Sequence, residues 1–236
     1  PNAVPEFHPL CVAQLKDWPG EGGAFDMAAC ATRQANSEIL TTADGVFYAA
    51  REGGGYFAYK PIGVLDQSME ILLTYDKVVQ KSITAVYFIG RIPGPALTRD
   101  FLTTVEEGGD RCQGGVNDAR LISASILEVD INATAQQMVS FLGDTPTQDT
   151  ARLSFNRESY QAYACAGTIT KRYNLLDNQV DFAKVTFIRD ESRKRVSRST
   201  RCYDNLVAQT LVPPVTLNMQ EYRVFLNDYH AQCGRN

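Results

Sequence analysis

Histidine is nearly missing from this chain: of 236 residues only His8 and His230 are histidines, one near each end. A Ser-His-Asp or Cys-His system would have to recruit one of them, and no G-x-S-x-G elbow is present to expose a nucleophile. His230 reads more simply as a favourable dipole partner in the last turn of a C-terminal helix. Long apolar runs are also lacking. The clearest ones, residues 71–73 and 83–89, fall far short of the roughly 20 residues a membrane helix needs, so no transmembrane segment is expected. No C-x-x-C or other close cysteine pair occurs, which excludes structural zinc and thioredoxin-like redox chemistry. A basic excess is missing as well, with 23 Lys/Arg against 27 Asp/Glu, so nucleic acid and anionic membranes find no global field to attract them. The triple glycine Gly53-Gly54-Gly55 has no Lys-Ser/Thr after it and no helix pattern, so it reads as a hairpin connection and not a phosphate loop. No cofactor and no metal site is expected.

What is present begins with six dispersed cysteines, Cys11, Cys30, Cys112, Cys165, Cys202 and Cys233. An even number, widely separated, favours three disulfides and an oxidising compartment, extracellular or periplasmic, although spacing alone selects no pairing. The chain opens at Pro1 as if a signal peptide had been removed. Composition is that of a globular protein, 44% hydrophobic and 21% charged, and the length suffices for a sizeable core.

Periodicity predicts an α+β protein of two similar modules, each a small antiparallel sheet flanked by helices and stabilised by disulfides. The expected division is an extended N-terminal segment over residues 1–23, a first module over 24–118 and a second over 119–236. Within these, Asp26 caps a short helix to about Ala35. A hairpin joins residues 46–51 to 56–59, and strands follow over 69–75 and 83–92. Leu97, Phe101 and Val105, spaced four apart, predict a helix over 97–107. One strand is expected over 121–131, then a helix whose Thr134 and Gln137 form a capping box. Further strands are read at 152–156, 160–173, 180–189 and 201–211, the middle pair turning at Asp177-Asn178. The last helix starts at Asn218 with Glu221 three residues on, and its stripe of Tyr222, Phe225, Leu226 and Tyr229 reads as core. Tyr48 and Tyr163, residues 71–76 and 185–190, and Cys112 and Cys233 recur in the same order. This pattern raises a degenerate duplication in which Phe101 and Tyr222 would correspond.

Several constellations invite a functional reading. Arg189, Arg193, Lys194, Arg195, Arg198 and Arg201 are opposed only by Asp190 and Glu191, a local charge of +4 in a protein of net charge −4. Guanidinium forks match planar oxyanions, so this run is the candidate anion site, for an anionic glycan above all; the alternative is a solvated strand connection. Nucleic acid is not indicated, because no aromatics interleave the basic residues. The acidic stretch Glu106-Glu107-Gly108-Gly109-Asp110 with Asn117-Asp118 fits no EF-hand. Glu128 and Asp130 share one side of a strand and could serve paired-carboxylate chemistry or an exposed face. Asn132-Ala133-Thr134 satisfies the glycosylation pattern but coincides with the helix cap.

The resulting expectation is an exported, non-catalytic interaction or structural subunit that acts through its surface on a protein partner or by self-assembly. A glycan-directed hydrolase using paired carboxylates, or a carrier of a small ligand or anion, is the alternative. The reading leans away from an enzyme.

Overall fold

The computed structural model describes residues 5–19, 25–66, 69–79, 81–92, 99–109, 112, 114–142, 165–188 and 198–233. The chain divides into two compact units, one of Pro1–Glu107 with Ala119–Ala124 and the other of Gly108–Asp118 with Ser125–Asn236. The architecture corrects the α+β expectation: among the described residues, eleven strands in two sheets make up 47% against 26% helix, so the protein is predominantly antiparallel β.

The first unit opens with α1 (Pro9–Lys16) and α2 (Met27–Arg33), then runs through β1 (Leu40–Thr41), β2 (Phe47–Ala50), β3 (Tyr56–Asp66), β4 (Met69–Val78), β5 (Lys81–Ile92) and β6 (Arg99–Gly108). These six strands form one sheet in chain order, a meander in which each strand hydrogen-bonds the next. Register sets its faces. Phe57 pairs with Asp76 and Tyr59 with Thr74 across β3 and β4, while Leu72 and Thr74 pair with Tyr87 and Ala85 across β4 and β5. Opposed residues of an antiparallel pair point the same way, so Phe57, Tyr59, Leu72 and Asp76 share a face. On it Phe57, Tyr59, Leu72 and Ile89 pack with Cys11, Val12 and Leu15 of α1 and with Met27 and Cys30 of α2. Ile71 and Leu73, on the other face, are buried too. Burial of both faces accounts for the unbroken apolar run in β4, where alternation would mark a half-exposed strand.

Two expectations fail in this unit. The N-terminal segment read as extended contains α1: Pro9 stands in its first turn, where a proline's missing N–H costs nothing, and His8 Nδ1 accepts from the Leu10 N–H as the cap. Of the helix expected over 97–107, the described residues 99–107 are strand β6. A spacing of four satisfies period two as well as 3.6, so Phe101 and Val105 fit a strand, and Thr103, Thr104 and Val105 are β-branched residues that favour one.

The second sheet is formed by β7 (Val116–Ser123), of which residues 119–123 are grouped with the first unit, and by β8 (Ile126–Ala133), β9 (Gly167–Asn174), β10 (Gln179–Phe187) and β11 (Val215–Asn218) of the second, which also holds α3 (Ala135–Ser140), α4 (Arg198–Thr210) and α5 (Met219–Cys233). The single strand expected over 121–131 is two strands, β7 and β8, broken by a turn at Ala124-Ser125. The strand expected over 201–211 is α4, because Tyr203, Leu206 and Val207 fall at i, i+3 and i+4 and bury together. Thr134 and Gln137 complete their capping box, and Asn218 Oδ1 accepts from the N–H groups of Gln220 and Glu221 at the start of α5. The stripe on α5 is core: Tyr222, Phe225 and Leu226 bury against Phe187 and Tyr203, Phe225 meeting Phe187 edge-on at 4.9 Å. The Tyr222 hydroxyl donates to the Met138 carbonyl. Burial raises the Tyr222 phenol well above its ordinary pKa.

All six cysteines are oxidised. Cys11–Cys30 ties α1 to α2, Cys112 pairs with Cys165 in the second unit, and Cys202–Cys233 ties α4 to α5. The duplication landmarks do not correspond: Phe101 is on a strand and Tyr222 on a helix, Cys112 follows a strand and Cys233 ends a helix. Tyr163 and the expected strand at 152–156 lie outside the described residues.

A candidate binding cleft in the first unit

Where β2 turns into β3, three consecutive glycines adopt positive φ: 84° at Gly53, 102° at Gly54 and 87° at Gly55. Only glycine enters this region without steric cost, so the chain folds back here without side chains at the tip. At Gly55 the requirement is double, since a Cβ would overlap the Lys77 carbonyl of β4. Beside this tip lies the turn after β4, where Val78 and Val79 are exposed. Opposite them α1 ends at Asp17 and Trp18.

Between these elements opens a cleft of about 850 Å³. Gln14 of α1 lines it with Asp17, Trp18 and Phe25, and α2 and its end contribute Arg33 and Gln34. Arg51, Glu52 and Gly54 of the first hairpin, with Val78 and Val79 of the second, complete the wall. Trp18 meets Phe25 edge-on at 5.6 Å and keeps 39% of its surface exposed.

An ion-pair network anchors two of the lining side chains. Asp76 points from β4 toward α1 and is buried; its Oδ1 lies 2.7 Å from Arg51 Nη2 and its Oδ2 2.5 Å from Lys16 Nζ. Lys16 also reaches Asp17 at 3.2 Å. A buried charge must be paired to persist, and here one carboxylate serves two cations. Burial opposes the charge on Lys16, but the hydrogen bond and attraction of Asp76 outweigh it and hold the ammonium above its ordinary pKa. The Arg51 guanidinium stacks 5.7 Å from the centre of the Phe57 ring, while its buried Nε has no hydrogen-bond partner. On the same sheet face, the Tyr87 hydroxyl donates to Glu107 Oε2 at 3.1 Å. Burial and the nearby Glu107 charge raise the Tyr87 phenol.

The residues singled out from sequence lie elsewhere. Of the basic run, Arg189, Arg193, Lys194 and Arg195 lie outside the described residues, and Arg198 and Arg201 belong to the first turns of α4. Glu128 is buried, bonded by Arg172 at 2.7 Å with Lys184 at 3.8 Å, and Asp130 accepts from Thr170, so both carboxylates already hold cross-strand partners. His8 is a buried cap whose imidazole pKa is lowered by desolvation, against a smaller opposing effect of the Ser37 backbone. His230 is exposed on α5 beside Tyr229. Among the described residues no group of three His, Cys, Asp or Glu side chains could hold a metal ion. The cleft residues escaped sequence reasoning because α1, α2 and two hairpin tips meet only in the fold. The one legible signal was a lone tryptophan in a charged segment, Lys16-Asp17-Trp18.

The fold and the cleft therefore define a class: a predominantly antiparallel β protein with three disulfides, of extracellular type. No described helix is long and apolar enough to cross a membrane. Compared with family models, curated proteins and solved structures, the chain matches none.

Proposed function

We propose that the protein is an exported, non-catalytic interaction subunit, with the cleft of the first unit as its contact site. The cleft carries this reading: it is open, of the volume binding sites take, and it joins exposed apolar side chains to prepositioned polar ones. Two of its three carboxylates already have structural work. Asp26 accepts from the Ala28 and Ala29 N–H groups as the cap of α2, and Asp17 pairs with Lys16.

The test is saturable binding without turnover. Glycan and peptide probes are incubated with the protein, and binding is read by thermal shift while new reducing ends or termini are assayed in parallel. Binding lost in Val79→Asp, with no product formed, is the expected result. Product formation abolished by Asp17→Asn would overturn the reading in favour of a hydrolase.

A further inference from the structure

Resting on the reading of the cleft as a contact site, we infer that its ligand is a neutral saccharide, seated against Trp18 and hydrogen-bonded by Gln14, Asp17 and Gln34. The lining residues themselves carry the argument. A pyranose presents an apolar face of C–H groups and a rim of hydroxyls that both donate and accept. The apolar face needs a flat, partly exposed aromatic, and Trp18 is one, braced by Phe25. The rim needs side chains with two polar atoms in a plane, which can engage neighbouring hydroxyls together. Gln14, Asp17, Gln34 and Arg51 all have that form and all line the cleft.

Charge disfavours the neighbouring classes. Three lining carboxylates, Asp17, Asp26 and Glu52, stand against two guanidiniums, Arg33 and Arg51, and Arg51 is already paired with Asp76. The lining thus carries one more carboxylate than guanidinium, which disfavours an anionic glycan or acidic peptide. Asp17 and Asp26 are themselves engaged by Lys16 and by the helix amides, which leaves Glu52 alone to receive a cationic ligand. A wholly apolar ligand would strand the amides and charges of the lining without partners, a desolvation cost per group that such ligands do not offset. What remains is a polar, uncharged ligand with one apolar face.

Trp18 is the only tryptophan in the chain, so its emission reports on the cleft directly. The whole protein is titrated with cello-, chito-, manno- and malto-hexaose, with the matching monosaccharides, and with uncharged and acidic decapeptides. A saturable change with at least one hexaose is expected. Gln14→Ala, at an exposed helix position, should weaken it fivefold or more while the melting temperature holds. Trp18→Ala, followed by calorimetry, should lose it. Response to the hexaose alone identifies a polymer chain as the source, and equal response to its monosaccharide identifies the free sugar. If peptides bind and saccharides do not, with the same sensitivity to Gln14→Ala, the saccharide assignment falls and the cleft reading stands. Silence toward both classes overturns both.

Discussion

Replacing Asp76 by Asn removes the one negative charge that holds Lys16 and Arg51 together beneath the cleft. The shape of the side chain is kept, so the change isolates charge and hydrogen bonding. Asp76 has a side-chain exposure of 9%, against 18% for Lys16 and 22% for Arg51. The site is thus closer to a buried network than to a surface pair, whose worth is about 0–1 kcal/mol. Breaking a fully buried pair costs about 3–5 kcal/mol. Residual solvation of both cations, and the Asp17 carboxylate still beside Lys16, place the expected loss at the lower end, about 3 kcal/mol. The amide nitrogen that the substitution introduces would also face one of the two cations. With the whole chain melting as one cooperative transition the loss corresponds to a fall of roughly 6–12 °C in melting temperature. Calorimetry on wild type, Asp76→Asn, Lys16→Met and the double variant closes a cycle, and the pair should couple by about 1–2 kcal/mol. Asp181→Asn, at an exposed position, should change stability by no more than about 0.5 kcal/mol. A melting temperature for Asp76→Asn within about 1 °C of wild type, or strict additivity in the cycle, would refute the network as the anchor of the cleft.

Other measurements probe separate features. Burial, then a hydrogen bond and charge repulsion from Glu6, raise the Glu70 carboxyl from 4.5 to about 7. The folded protein then binds this proton more tightly than the unfolded chain, so its stabilisation is complete below 4.5 and is lost as pH rises through about 7; Glu70→Gln should flatten that decline in melting temperature, and parallel curves would contradict it. Gly53→Ala, at positive φ in open space, should cost about 1–2 kcal/mol, whereas Gly55→Ala should cost well over about 3 kcal/mol because the Lys77 carbonyl occupies the space of the new methyl. Urea titration separates the two, and equal costs would mean that the hairpin tip does not pack against β4. Replacing Cys112 and Cys165 by Ser opens a loop of sequence separation 53 and should cost about 4 kcal/mol, against about 3 kcal/mol for Cys11 and Cys30 at separation 19; the reverse order in denaturant midpoints would count against loop entropy. Neutralising Arg193, Lys194 and Arg195 together should weaken heparin retention without moving the melting temperature, and unchanged retention removes the anion-site proposal.

Features satisfied by close neighbours in the chain were legible from sequence. The Thr134–Gln137 box and the Asn218–Glu221 cap each link residues three apart, and Asp26 caps α2 through N–H groups two and three residues on. The glycine hairpin and the turn at Asn178, with φ of 55°, follow from local backbone freedom. An even, scattered cysteine count sufficed for three disulfides, but their pairing depends on which helices and loops the fold brings together. The same dependence decided β6 and α4. Residues 97–107 carry a spacing that both periods accept, and the neighbouring β5 made the described residues 99–107 a strand by taking up their backbone hydrogen bonds. Residues 201–211 became helix because Tyr203, Leu206 and Val207 could bury with Phe187 and Phe225 on a 3.6-residue period. Asp76 is one acidic residue among 27 Asp and Glu by sequence. Lys16, 60 positions earlier, and Arg51, 25 positions earlier, make it the anchor of a site. Caps and turns are determined by the sequence alone because their partners lie within one turn of chain. The sheet order and the cleft were decided by tertiary structure, because each joins groups tens of residues apart whose meeting depends on burial that no short segment can achieve by itself.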